Sequence, residues 1–95
     1  MNVEVMSVQG YLDEAAGLIR ESGWITAEEQ NALPARERVL NDRLTLYQAI
    51  EAVVPWDGVT PGLVFAELNR RAHDAFEEWA ERDERTVADV LDLLA

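Results

Sequence analysis

The sequence TPGLVFAELNRRAHDAFEEWAER, residues 60–82, is the longest uninterrupted helical pattern in the chain. When successive residues are placed about 100° apart around a helix axis, charged side chains fall on one side and apolar side chains fall on the other: Phe65, Leu68, Ala72, Ala75, Phe76 and Trp79. Thr60 can act as the N-cap, and Pro61 stands at the first helical position, where proline is tolerated. An amphipathic helix needs partners for its apolar face, so we predict that one helix over residues 60–82 organises the fold.

Two helical patterns begin the chain. Ser7 can cap a first helix that ends at Gly23, a residue suited to a left-handed cap position. Thr26 followed by Glu29 is a capping-box signature. The helix that it opens can run only to about Leu33, because Pro34 disfavours helical backbone at the residue before it.

The remaining segments complete a helical protein. We predict a helix with a wide apolar face over residues 35–54, a turn over residues 55–58, and a final short helix that a capping box opens at Thr86. Val3-Glu4-Val5-Met6 alternates like a strand, but a single short strand has nothing to pair with. The predicted class is therefore all-α, with residues 1–95 forming one compact bundle of four main helices and one short helix.

The composition excludes several classes of function. The 95 residues include no cysteine, which excludes disulfides, thiolate metal sites and a cysteine nucleophile. Acidic residues number 19 against 8 bases, all arginine, for a net charge of −11. This charge argues against direct binding to nucleic acid or to anionic membranes, but it allows a partner protein with a basic surface. There is no secretory-signal pattern and no run near the ~20 apolar residues of a membrane span, so we expect a cytoplasmic location.

Two segments resemble an uncharacterised family of small helical proteins from actinomycetes and their phages. Residues 11–24 end in Glu-Ser-Gly-Trp, and residues 79–94 place a Trp ahead of Arg-Thr and a helix rich in Val and Leu. Where the family has Asn-Asp after this Trp, the chain has Ala80-Glu81, and its residues 44–49 lack the Cys of the family's middle segment. The resemblance implies a compact helical domain of bacterial or phage origin, and it assigns no site residue.

His73, the only histidine, is the first candidate for chemistry. Together with Glu77, four residues later, it could present two metal ligands on one helix face, and Asp74 lies nearby. Metal sites usually use three or four protein ligands, however, and no second cluster is evident in the sequence. Ser7 and Ser22 suit helix ends better than the role of a nucleophile. We therefore predict no catalytic residue, no metal site and no cofactor.

The acidic C-terminal third supports a binding function. From Asp74 to Asp92 there are eight acids and two arginines, and Trp56 stands in a turn, where an exposed Trp would be a hot spot for a protein partner. We hypothesise a non-enzymatic interaction module, an adaptor or inhibitor, whose partner-binding residues are Trp56, Asp74, Glu77, Glu78, Glu81 and Glu84. Two alternatives stay open: a DNA mimic that inhibits a nucleic-acid-binding protein, and a self-associating structural protein that forms a homo-oligomer.

A structural explanation of the same acids is their pairing with arginines. Three acids precede an arginine by four residues, which is the favourable order on a solvated helix: Glu67–Arg71, Glu78–Arg82 and Glu81–Arg85.

Overall fold

A computed structural model describes residues 7–82 and 84–95. These ranges contain seven helices: α1 Val8–Ser22, α2 Ala27–Ala32, α3 Ala35–Leu40, α4 Leu46–Val53, α5 Thr60–Ala72, α6 Phe76–Ala80 and α7 Val87–Leu94. They contain no strand, and the only sheet-like pairing is one parallel bridge between Trp24 and Leu44. The predicted all-α class is confirmed, and four of these seven helices have eight residues or more: α1, α4, α5 and α7. There are three short helices in place of the predicted one, and Val3–Met6 lies outside the described residues.

The core forms around α1. Leu12, Ala15, Ala16 and Ile19 recur at helical spacing and are all buried. This stripe faces α4, α5 and α7, which all pack against α1. Ala15 has no exposed surface, and small side chains at such positions let neighbouring helices approach closely. The helix that organises the fold is therefore α1, and the prediction that residues 60–82 have this role is wrong.

Residues 60–82 do not form one helix, because the chain breaks at His73. His73 adopts left-handed backbone angles (φ 57°, ψ 27°) and ends α5. Asn69 bridges the break: its carbonyl accepts from the Asp74 amide at 3.3 Å, and its side-chain Oδ1 accepts from the Phe76 amide at 2.9 Å. The change of direction buries Phe76 and leaves Ala75, which the pattern placed on the apolar face, exposed.

The predicted helix over residues 35–54 is also interrupted. The Asn41 side chain accepts from the Arg43 amide at 3.3 Å, which turns the chain after α3. Leu44 is then extended, and its carbonyl accepts from the Ile25 amide at 3.0 Å. Thr45 and Gln48 form a reciprocal capping box that starts α4. The sequence contains this signature, but the prediction of a single helix overlooked it.

The apolar face predicted for residues 35–54 packs into the core only within residues 44–54. Leu46, Ala49 and Ile50 are buried, whereas Val39 and Leu40 of α3 are 85% and 69% exposed. No residue of α3 is buried.

The predicted helix starts at Ser7, Thr26 and Thr86 are confirmed, since each side chain accepts from the amide three residues later. The Thr26 box differs in one respect, because the Glu29 carboxylate accepts from the Thr26 hydroxyl. Gly23 ends α1 with the predicted positive φ, 89°, and its ψ of 163° directs the chain into an extended segment. Within residues 7–82 and 84–95, no helix is both long and apolar enough to cross a membrane.

The left-handed backbone at residue 73 gives a test of the break. We expect His73→Gly to raise the free energy of unfolding by about 0.5–1 kcal/mol, because glycine adopts this conformation without the steric cost of a Cβ. In a continuous helix the same change would lower it by about 1 kcal/mol. Urea denaturation measures the difference, with Ala66→Gly in the exposed interior of α5 as the destabilised control. A loss of stability in both variants would contradict the break.

Candidate functional site

Four aromatic rings are in contact, with Phe65 of α5 at their centre. The Phe65 centroid lies 5.9 Å from that of Tyr47, 6.3 Å from that of Trp56 and 5.4 Å from that of Phe76. Phe76 is buried, Tyr47 and Phe65 are half-buried, and Trp56 is 57% exposed. Phe76, Phe65 and Trp56 therefore form a row that runs from the core to the surface and ends at Trp56, and Tyr47 stacks on the middle ring, Phe65.

Two depressions in the surface adjoin this row, and Glu77 lines both. The first, of about 260 Å³, is lined by Phe65, Asn69, Ala75, Phe76 and Glu77. The second, of about 160 Å³, is lined by Ala27, Thr45, Leu46, Tyr47, Glu77, Ala80 and Glu81. The surface formed by Tyr47, Trp56, Phe65, Phe76 and Glu77 is named the aromatic–acidic face. It combines apolar rings with one exposed carboxylate.

The loop that carries Trp56 is held by the neighbouring Asp57. The Asp57 carboxylate accepts from the amides of Val59 (2.9 Å) and Thr60 (2.8 Å) and from the Thr60 hydroxyl (2.7 Å). These bonds lower the pKa of Asp57 from 3.8 to about 2, with the Thr60 amide as the largest cause. Gly58 supplies the positive φ, 86°, that the turn requires. Asp57 therefore satisfies the amide of Val59 and that of Thr60, which is the first residue of α5, so the prediction that Thr60 is the N-cap is wrong.

Glu81 has a role inside the fold. Its two carboxylate oxygens accept from the backbone amides of Ala27 (2.7 Å) and Glu28 (2.9 Å). Together with Thr26, which accepts from the Glu29 amide, it satisfies the first three amides of α2. A carboxylate is well placed there, because the N-terminus of a helix has a partial positive charge.

The other predicted partner-binding acids are dispersed. Asp74 pairs with Arg82 at 2.8 Å, while Glu78 and Glu84 are exposed and form no ion pair with any described residue. Of the six predicted site residues, Trp56 and Glu77 both adjoin Phe65, and Glu81 joins Glu77 in the lining of the second depression.

Of the three acid–arginine pairs, only one forms. Glu67 binds Arg71 at 2.7 Å and also pairs with Arg70, and the pKa of Glu67 is lowered to about 2, chiefly by its hydrogen bond from Arg70. The other two pairs are absent because their arginines have different partners. Arg82 binds Asp74, and the Arg85 guanidinium lies 4.0 Å from the centre of the Trp79 ring and donates to the Trp79 carbonyl at 2.9 Å.

His73 is exposed at the break between α5 and α6. No group of three or more His, Asp or Glu side chains within the described ranges is placed to hold a metal ion. Sequence reasoning assigned Tyr47, Phe65 and Phe76 to apolar helix faces; Phe76 is buried as predicted, whereas Tyr47 and Phe65 are half-buried and were missed as surface residues. Asp74 followed by Glu77 resembles a helix-start signature, but α6 begins after Ala75 and has no side-chain cap hydrogen bond.

Comparison with protein-family models, curated proteins and solved structures finds no match for this chain. The function is inferred from the surface itself.

The capping contacts of Glu81 can be tested by their effect on stability, apart from any role in binding. We expect Glu81→Ala to lower the free energy of unfolding by about 1–2 kcal/mol, because two amides of α2 lose their acceptor. The matched control is Glu78→Ala, an exposed acid in the same helical segment, for which we expect a change within about 0.5 kcal/mol. Urea denaturation of both variants measures this. Equal stabilities would contradict the capping contact.

The lowered pKa of Asp57 predicts a pH dependence. A carboxylate whose pKa is lower in the folded state stabilises the fold above its unfolded pKa of 3.8, and this contribution is lost as pH falls toward about 2. Asp57→Asn removes this titration but keeps one side-chain acceptor. We expect wild type to have the higher Tm at pH 7 and the gap in Tm to narrow between pH 4 and pH 2. A difference in Tm that does not change with pH would show that these hydrogen bonds do not favour the charged form of Asp57.

Proposed function

We propose that this protein is a non-enzymatic interaction module, an adaptor or inhibitor of bacterial or phage origin, which acts in the cytoplasm and binds another protein through the aromatic–acidic face. The observation that carries the proposal is the position of Trp56. Its ring is 57% exposed at the outer end of a contiguous aromatic row, on a loop that Asp57 holds.

A tryptophan in this setting has the properties of a binding hot spot. Hot spots are enriched in Trp and lie where a ring can be fully desolvated by the partner. Because the Asp57 bonds already order the loop, little conformational freedom is lost on binding. The half-buried Phe65 ring beside it extends the apolar area that a partner would cover.

The negative charge of the molecule favours a partner with basic side chains. Glu77 borders the aromatic rings and lines both depressions, and the chain has a net charge of −11. A partner segment with an apolar side chain beside an arginine or lysine fits this face, and its approach would be steered by the negative field. The DNA-mimic alternative has less support, because Asp74 pairs with Arg82 and Glu81 caps α2.

Affinity capture with matched variants tests the proposal. We expect Trp56→Ala to reduce retention of a specific partner from an actinobacterial lysate by about 30-fold, which corresponds to a hot-spot contribution of about 2 kcal/mol. The control is Val87→Ala, which truncates an exposed apolar side chain on a different element, α7. Glu77→Arg should also weaken retention of a basic partner, most strongly at low salt. Equal retention by wild type and Trp56→Ala would contradict the assignment of this face.

A further inference from the structure

The helix α3 is exposed on all sides. Every residue from 34 to 40 is exposed, and α3 does not pack against another described helix to any substantial extent. Val39 (85%) and Leu40 (69%) are the most exposed large apolar side chains in the described chain. Isolated helices shorter than about 12 residues are marginal in water, so a six-residue helix gains stability when its apolar side chains are covered.

The segment that contains α3 has a net positive charge, whereas the whole chain has a net negative charge. Residues 36–43 contain three arginines and two acids, within a chain of net charge −11. Arg36, Arg38 and Arg43 form no ion pair with any residue in the described ranges. Arg36 precedes Val39 and Leu40 by three and four residues, so these side chains lie on one side of the helix. That side presents two apolar groups beside a guanidinium.

We propose that α3 of one molecule docks on the aromatic–acidic face of a second copy, so that the chain associates head to tail. This inference rests on the proposed function of that face, and it names an occupant. Val39 and Leu40 cover the Trp56 and Phe65 rings, and Arg36 pairs with Glu77. The apolar side chains of α3 thereby contact apolar rings on the other molecule, and its guanidinium contacts a carboxylate.

A head-to-tail contact fits the charges better than a symmetric one. If α3 packed against α3, two segments with an excess of arginine would face each other, and like charges in contact are unfavourable. In the head-to-tail arrangement the two contacting surfaces differ, so each bound molecule retains one unused surface. Such contacts produce a ring if the rotation closes and an open chain if it does not.

Two complementary variants test this arrangement by sedimentation velocity in about 0.15 M salt, from micromolar to millimolar concentration. Arg36→Glu with Leu40→Glu blocks α3 but keeps the aromatic–acidic face. Trp56→Ala with Glu77→Arg blocks the face but keeps α3. All four side chains are exposed, and circular dichroism with thermal melting confirms that each variant is folded.

The expected results are specific to the head-to-tail contact. The mean mass of wild type rises with concentration, each variant alone stays monomeric, and an equal mixture of the two forms a species of twice the monomer mass and no larger one. A dimer of the face-blocked variant alone would overturn the proposal in favour of symmetric α3 pairing. Monomeric wild type at every concentration would overturn self-association, and the Trp56→Ala capture result would then decide separately whether the face binds a different protein.

Discussion

The burial of one apolar stripe on α1 is the interaction on which the rest of the structure depends. Leu12, Ala15, Ala16 and Ile19 are removed from water by α4, α5 and α7, which come from three separate parts of the chain. None of these helices is long enough to be stable alone, so their stability comes from packing. A domain of this size without disulfides has to rely on such a core.

Polar contacts between distant residues complete the helix ends that local sequence leaves unsatisfied. Arg71 of α5 donates to the carbonyls of Leu93 (2.9 Å) and Ala95 (3.0 Å) at the end of α7, and it also bonds the Gln9 side chain of α1. Glu81 similarly accepts from the first amides of α2, more than fifty residues earlier in the chain. Charged side chains that resemble a solvated surface in the sequence therefore join separate helices.

The break at His73 links the fold to the aromatic–acidic face. If the helix continued straight, Phe76 and Glu77 would extend away from the bundle along the axis of α5. Because the backbone turns at His73 and Asn69 holds the turn, Phe76 stacks on Phe65 and Glu77 lies beside the aromatic row. The face that brings together Trp56 and Glu77 is a consequence of this one change of direction.

The sequence by itself determined the helical class, the starts of α1, α2 and α7, and the membership of α1 in the core, because caps and apolar periodicity act over three or four residues. It also singled out Trp56 and Glu77. The breaks after α3 and α5 are held by local contacts of Asn41, Thr45 and Asn69, which helical periodicity does not register. The exposure of Val39 and Leu40 and the use of Glu81 as a cap were decided only by the tertiary structure. They depend on contacts with residues far away in the chain, or on the lack of them among the described residues, and periodicity carries no information about which helix faces meet.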